Sequence, residues 1–534
     1  MRNLFLLSLI CISLHLASQQ ATLQWTDEQE FDKENQYNDI VGTYGQFLYV
    51  VSSSNPNPRN SVNVTLNLFD KESLKFEKSL RIIGNKSDVN FEDVIIAKRS
   101  IHVFTSFYDR NLGLKVLSDQ FYDPYQNQLG ESQRVDEVHQ TDKSDFIPFG
   151  ISSSPDGRSI LIHHHNPSLT GYSTFNLKVT NEDLELIWEK EIELNYKDRM
   201  VTYDDIILDD ASTVYILTSI NPYGIKKSSG FGNLLNLKNT LFSYRPFQDR
   251  LKEYEFALTR NWIQGVKMGL DEQQNLYLAA FYTYPNDYKL RGFVQFKIDS
   301  ETGETALRKF TELNKEQYGQ IEDAVKRLRD YSRTLVGNTG IYPGSSHMNN
   351  SSSEFQLKSV QFSNSMIILA VEALRRDERC TETFNEQQMI VNCEKHYFYG
   401  DIVLFFLDWS GNVSTVRRLP KLQHSVDRKN PFYSFGAFST EHELFICYND
   451  DQDNFSEDGS ALLEQGRPLT RFNRSRLAIQ TYTSSGLPTN FVIDRSNEGE
   501  VMYLPSQFLW TDNKELLFYS QKEKNYKFGK LLLR

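Results

Sequence analysis

The chain has 534 residues, with 58 Lys and Arg against 70 Asp and Glu and a formal charge of -12 at pH 7. That balance excludes a nucleic-acid binder, whose contacts to phosphate demand a basic surface. The 36 Phe and 28 Tyr exclude a disordered chain, which is poor in aromatic and β-branched residues.

At the N-terminus, Arg2 precedes an apolar run from Leu4 to Leu16 and the small residues Ala17, Ser18 and Ala21. This is the form of a secretory signal peptide, assigned to 1–18. The run is too short to span a bilayer, and no later stretch approaches about 20 apolar residues. Cys11 sits inside the run after Ile10 rather than at a lipid-anchoring cleavage site. The expectation is an exported protein (secreted, periplasmic or at the cell surface) with no transmembrane segment. Its mature part, 22–534, is read as a single domain.

Two phrases share the form Leu-x-Trp-x-x-Glu-x-Glu-apolar: Leu23 to Phe31, and Leu186 to Leu194. The second follows an evident strand, Thr174 to Val179, whereas the first opens the mature chain with nothing before it to pair with. Its partners are therefore expected at the far C-terminus, closing a ring. Eight short apolar runs punctuate the chain: Phe47 to Val51, Ile101 to Thr105, Ile160 to His163, Val214 to Leu217, Leu276 to Phe281, Ile367 to Val371, Leu444 to Tyr448 and Leu516 to Tyr519. Turn formers such as Pro155-Asp156-Gly157 and Asp512-Asn513 precede them. After most runs come an alternating strand, a turn and another strand, as in Phe293 to Ile298 and Thr305 to Phe310. The unit is four strands, one propeller blade. Seven full units span 38–498, and Gln507 to Leu533 supplies three strands that the Trp25 strand completes. The predicted fold is all-β, a β-propeller of about eight four-stranded blades.

One insertion, 313–356, interrupts the repeat. Ile321, Val325, Leu328 and Leu335 share a helical face, so a short helix is expected near 315–337, packed on the flank or face of the propeller. A loop rich in Ser and Asn follows through 342–353. Cys380 and Cys393 flank a polar stretch, Thr381 to Asn392, read as a hairpin loop, and form the candidate disulfide of an exported chain. Cys447, inside an apolar run, reads as a small buried hydrophobe. No cysteine spacing forms a zinc pattern.

The phrases Lys524 to Leu531 and Leu186 to Leu194, with Phe432-Tyr433-Ser434, resemble a family of exported, propeller-like proteins from Gram-negative bacteria of the Bacteroidota type. The resemblance implies the fold and export over nearly the whole mature chain. It implies no activity and supplies no catalytic residue.

Three strand starts share a pattern: Asn38-Asp39-Ile40, Glu92-Asp93-Val94 and Asp204-Asp205-Ile206. If these are innermost strands, Asp39, Asp93 and Asp205 partly ring the mouth of the channel. There they are candidate ligand-binding residues for sugar hydroxyls or a hard cation, against the plainer role of capping local backbone N–H groups. Gln264-Gly265-Val266 and Leu357-Lys358-Ser359 lack the motif. His163-His164-His165 offers two imidazoles on one face of a strand, too few for a closed metal site, and reads as a surface or edge placement. The run Asn449 to Asn454 reads as a solvated acidic loop, since Phe455 and a late Gly459 break the calcium-loop template. Sequons occur at Asn63, Asn85, Asn349, Asn350, Asn412, Asn454 and Asn473.

No nucleophile elbow and no His-Glu-x-x-His motif occurs, so no catalytic residue, metal ligand or cofactor is assigned. The sequence favours a non-enzymatic binding or scaffold protein with a protein or glycan partner. The alternatives are a carbohydrate-active enzyme with acidic residues at the channel mouth and a component of cell-envelope assembly.

Overall fold

The computed structural model describes residues 21–533 apart from 32–33, 85–87, 141–146, 167–170, 222–237, 257–261, 285–286, 337–352, 364–365, 386–387, 428, 441, 457–465, 495–501, 512–514 and 523. The signal peptide expected at 1–18, most of the loop expected across 342–353 and the sequons Asn85, Asn349 and Asn350 lie outside the described residues.

The described strands form eight antiparallel four-stranded blades. Blade 1 comprises Tyr37–Tyr44, Phe47–Ser53, Val64–Asp70 and Phe76–Ile83, and blade 2 comprises Val89–Ile96, Ile101–Asp109, Leu114–Asp123 and Gln133–His139. Blade 3 is Gly150–Ser153, Ser159–Asn166, Tyr172–Asn181 and Leu186–Lys197, and blade 4 is Val201–Leu208, Val214–Ile220, Lys238–Arg245 and Arg250–Glu255. Blade 5 is Trp262–Leu270, Leu276–Tyr284, Asp287–Ile298 and Thr305–Glu312. Blade 6 is Ser353–Ser363, Met366–Asn385, Gln388–Leu407 and Val413–Leu419, and blade 7 is Phe435–Ser439, Glu443–Asp451, Ser475–Thr483 and Pro488–Ile493. Blade 8 takes Met502–Trp510, Glu515–Lys522 and Asn525–Leu533 from the C-terminus and Ala21–Trp25 from the N-terminus. First strands of neighbouring blades touch and form the inner ring.

All eight apolar runs fall in second strands. Such a strand has a hydrogen-bonded neighbour on each edge and a blade against each face, so both of its faces are apolar and the run is continuous. Leu48, Leu161, Leu369, Phe445 and Leu517 accordingly have no solvent exposure. Fourth strands face water on one side, and Leu186–Lys197 alternates in burial along its length.

The two Trp phrases occupy equivalent outermost strands. Ala21–Trp25 pairs with the last strand from Ala21 opposite Leu533 to Trp25 opposite Gly529, and Gln29–Glu30 continues along Tyr526 and Asn525. The Trp25 ring lies over Gly529, where a Cβ would stand 2.8 Å from it. Lys527 Nζ sits 5.0 Å from the ring centroid. Leu23 and Trp25 thereby join a core of Leu516, Phe518 and Leu531.

A second, repeated device ties blade to blade. Cations on outer strands reach the turn between the third and fourth strands of the next blade. Lys530 donates to the Lys71 and Glu72 carbonyls at 3.3 and 3.2 Å, and Lys78 donates to the Pro124 carbonyl. Lys252 reaches Gly303 O at 2.8 Å, Lys309 reaches Ser410 O at 2.9 Å, and Arg417 reaches Gly486 O at 2.8 Å. Lys190 makes the same step to the Asp249 carboxylate at 2.7 Å.

The two faces of the ring differ. On one, connections are tight turns closed by Asx bonds, such as Asp299 accepting from Thr302 N–H at 2.8 Å and Asp408 accepting from Asn412 N–H at 2.8 Å. On the other the chain links strands at greater length, through 54–63, 313–336, 420–427, 429–434 and 466–474. The helix Lys315–Val336 belongs to this face. Asn314 and Gln317 cap it reciprocally, each side chain accepting from the other's backbone N–H at 2.9 and 3.0 Å. Ile321, Ala324 and Leu328 are buried against Ala373, Phe398 and Leu422 of blade 6 and its flank. Leu335, expected on that face, is 42% exposed. Tyr331 packs edge-on to Phe398 and Ser332 binds Asp377 on that face, and Leu335 lies one turn beyond these last contacts, at the helix end.

The stretch Thr381 to Asn392 is not the loop expected. Met366–Asn385 and Gln388–Leu407 are continuous strands, and Cys380 stands directly opposite Cys393 in their ladder. The β-branched Thr381, Thr383, Ile390 and Val391 suit that extended ribbon.

Gly529→Ala should destabilise the protein by about 1–3 kcal/mol through the forced contact, and Trp25→Ala by about 3 kcal/mol. Because Trp25→Ala makes room for the new Cβ, denaturant unfolding of the double variant should show less than the sum.

Candidate functional site

The innermost strands start on the face of the long connections, and the motif residues sit beside β-bulges there. The ladder skips Val41, Glu92, Asp204 and Lys358. A bulge places two residues against one and re-aims their side chains. The first member of each motif engages its own blade. Asn38 is buried and receives the Ser52 hydroxyl. Glu92 is 1% exposed, accepts from Ser106 Oγ at 2.6 Å and pairs with Lys115 Nζ at 2.6 Å. Asp204 accepts from Ser219 Oγ at 2.5 Å. Blade 6 inverts the charges, with Lys358 at the bulge 3.6 Å from Glu372.

The second members differ. Asp39 is exposed and accepts from Gln507 Nε2 at 2.6 Å, while Gln507 Oε1 accepts from Ile40 N–H at 2.9 Å. Asp93 is half-buried, accepts from Val94 N–H at 2.8 Å and lies 3.6 Å from Arg59 Nη2. Arg59 is brought there by a capped turn, Pro58–Asn60, and its Nε also donates to Glu92 O at 2.8 Å. Burial pushes the Asp93 carboxyl up to about 6, opposed by the Val94 N–H and Arg59, with the Asp39 and Glu92 charges adding to the rise. Asp205 accepts from Ile206 N–H at 3.0 Å. Desolvation by its surroundings raises it, opposed by that N–H and by Lys267 of blade 5. The structure thus groups Asp39 with Asp93, and sets Asp205 apart with Lys267.

The three histidines belong to the second strand of blade 3, Ser159–Asn166, rather than to an edge, with His164 buried and His163 and His165 partly exposed. Each has its own surroundings. His163 packs on Gly150, where a Cβ would stand 2.0 Å from the ring, and burial pushes its imidazole down to about 4. His164 is buried 3.7 Å from Asp136, and burial lowers it too. His165 Nε2 lies 2.5 Å from Asp198, which also accepts from Ser173 at 2.9 Å. Among the described residues no cluster of three His, Cys, Asp or Glu could hold a metal ion.

The run Asn449 to Asn454 is not a solvated loop. Asn449, Asp450 and Asp451 end a strand and are 1%, 4% and 2% exposed. Arg474 makes two 2.8 Å bonds to Asp451, and Arg467 binds Asp453 at 2.6 Å. These guanidinium groups stand where a cation would neutralise the run. Burial pushes Asp450 up to about 7. Cys447 is free and buried, and burial raises its thiol. Of the described sequons, Asn63 and Asn454 are buried whereas Asn412 and Asn473 are exposed.

One arrangement was invisible to motif reading. Ser100 Oγ lies 2.8 Å from His102 Nε2, and His102 Nδ1 lies 3.2 and 3.1 Å from the two Asp119 oxygens. The order is that of a Ser-His-Asp triad, but the chemistry is not. The three residues are 5%, 3% and 2% exposed. The Glu182 carbonyl of blade 3 accepts the Ser100 hydroxyl at 2.8 Å and lies 2.9 Å from Nε2. Burial alone would lower His102, but the Asp119 hydrogen bond and charge, with the Glu182 carbonyl, outweigh it and raise the imidazole. With the Ser100 hydroxyl given to the Glu182 carbonyl, the imidazole is not set to take its proton. The group is a lock between blades 2 and 3. Ser100 and His102 are two residues apart in sequence, but Asp119 comes from the next strand and Glu182 from the next blade.

No family model and no curated protein matches the chain. Among solved structures it is similar to the β-propeller domain of the Trilobed protease from Pyrococcus furiosus, at 9% identity and a TM-score of 0.36, over 85% of this chain and 96% of that one. A prolyl endopeptidase matches at 11% identity and 0.34, over 84% of this chain and 55% of that one. Synechocystis apocarotenoid oxygenase matches at 10% identity and 0.32, over 73% and 74%.

The stability that His102 contributes is complete below its unfolded value near 6.5 and lost as pH rises through its raised folded value. The difference in unfolding free energy between wild type and His102→Gln should therefore shrink from pH 6 to pH 8, by at most about 1.4 kcal/mol per unit. Urea titrations at the two pH values measure it.

Proposed function

We propose that the chain is an exported, non-enzymatic binding protein that recognises a hydroxyl-rich ligand, a glycan, at the ring mouth. One observation carries this reading: each carboxylate of the motif has a donor or cation near it from a different element of the fold. Asp39 lies beside Gln507, Asp93 beside Arg59, and Asp205 beside Lys267. Acceptors alternating with donors, without a surplus of one charge, suit a neutral polyol better than an ion. The long connections rim the same mouth, and loops on a rigid scaffold are where binding is built.

A glycan array of neutral oligosaccharides tests the proposal. Combined Asp39→Asn, Asp93→Asn and Asp205→Asn should weaken binding at least about tenfold, and unchanged binding refutes it. A second reading, a carbohydrate-active enzyme, is favoured by the raised carboxyl of Asp93 beside Asp39. Under that reading the wild type hydrolyses chromogenic aryl glycosides and Asp93→Asn does not.

Export also makes Cys380 and Cys393, opposite each other in the ladder, a disulfide staple of the blade 6 ribbon. Thiol titration of the unfolded mature protein should find one free thiol, that of Cys447. Three free thiols would exclude the staple.

A further inference from the structure

Blade 6 differs from the others because its second and third strands run on past the ring as a two-stranded ribbon. Its first strand leaves the ladder at Ser353 opposite Arg375, and its fourth stops at Leu419 opposite Ile402. Only Gln423–Val426 follows the ribbon further, pairing with Tyr399 back to His396. Asp427 then ends that ladder: its N–H donates to Lys395 O at 2.7 Å, and its carboxylate accepts from Lys395 N–H at 3.0 Å. A free two-stranded ribbon is marginal in water, so the contacts at its base decide how it stands.

Two imidazoles meet at that base. His396 Nδ1 is 3.0 Å from His424 Nε2, and the ring planes are 4° apart. His424 also stacks on Phe398 at 4.6 Å. The histidines are 6% and 8% exposed. Such a bond needs one nitrogen protonated and the other bare. The carboxylates around the pair are engaged elsewhere or reach one ring only. Asp377, across the ladder from His396, is already bound to Ser332 of the helix and to Arg375 at 2.7 Å. Asp427 is held by Lys395. Glu394 lies 3.7 Å from His396 Nε2 but is 58% exposed and reaches one ring of the two. From the helix, Tyr331 covers Phe398, and from the connection beyond blade 7's second strand, Leu469 O accepts the His424 N–H.

We propose that His396 and His424 are an acid-sensitive latch that holds Gln423–Val426 on the base of the blade 6 ribbon, and that protonating both rings frees the ribbon while the blades stay folded. With a proton on each ring, two N–H groups and two like charges face each other in a buried site, and the bond is lost. Burial, with the His396 charge, pushes His424 down to about 4. The neutral pair therefore holds fully above the unfolded value near 6.5, and the hold weakens as pH falls from there towards about 4.

Hydrogen exchange of the full chain at pH 7.5 and pH 4.0, corrected for intrinsic rates, tests the latch. Amides of 394–399 and 422–427 should exchange at least about tenfold faster in acid, while those of 47–53 in blade 1 keep their protection. His424→Phe retains the stack on Phe398 without a titrating group, and should abolish the change. Equal protection at the two pH values overturns the proposal. So does a His424→Phe protein that loosens as much as wild type, or loss of protection in blade 1 in parallel. If His424→Phe does not fold, the proton resonances of His424 in the wild type decide: titration below its ordinary value supports the latch, and titration near 6.5 overturns it.

Discussion

The whole ring depends on one ladder, in which Ala21–Trp25 pairs with Asn525–Leu533. Each blade packs its second strand between two neighbours, so an unclosed ring would leave two blades with one face wet. At the seam, Leu48 and Val50 of blade 1 share a core with Leu517, Tyr519 and Phe528 of blade 8. Lys530, beside Trp25's strand, carries the cation that reaches the turn of blade 1. Closure by strands from both termini removes the open edge and turns a string of sheets into one body. It also assembles the candidate site, because Asp39 and Gln507 meet only when blade 1 lies against blade 8.

The two faces of that body follow different rules. On the tight face, Asx turns use their own side chains and lend their carbonyls to a cation from the preceding blade. A bond from Lys or Arg to a carbonyl needs little burial and no matched partner charge, so it repeats with varied sequence. The long connections on the other face are freed from closing blades. There the chain buries charges in pairs, such as Glu92 with Lys115 and Glu372 with Lys421.

The fold was legible because its largest energetic term is local in sequence. A second strand covered on both faces must be an unbroken apolar run, and eight such runs number the blades. The outermost strands were legible in the Trp phrases, which repeat because both occupy one position in the architecture. The three Asp were placed on inner strands by the same logic. What the sequence hid was partner choice. Asp450 and Asp451 look like solvent-facing acids until Asn454 donates to Asp450 and Arg474, from beside the partner strand, binds Asp451. Leu335 fits the helix period but lies past Tyr331 and Ser332, whose partners Phe398 and Asp377 are the last that blade 6 offers to that face. The polar run after Cys380 reads as a loop because its pairing strand lies just beyond its own turn.

The connection 420–434 shows how a rim can be fixed at one end and weak at the other. At its start, Lys421 has no exposed side-chain surface and binds Glu372 at 2.7 Å and Gln423 at 3.0 Å. Ser434, at its far end, returns to both, giving its hydroxyl to Glu372 at 2.6 Å and its N–H to Gln423 at 2.7 Å. Taking this ion pair out of water is costly, and breaking it by removing one partner costs more, so neither end of the connection moves without unfolding blade 6. Between them, His424–Val426 is held by the ladder to the ribbon, the imidazole bond and the Leu469 carbonyl. A weak link flanked by two strong ones confines any opening to its own length, leaving the ring and its mouth in place.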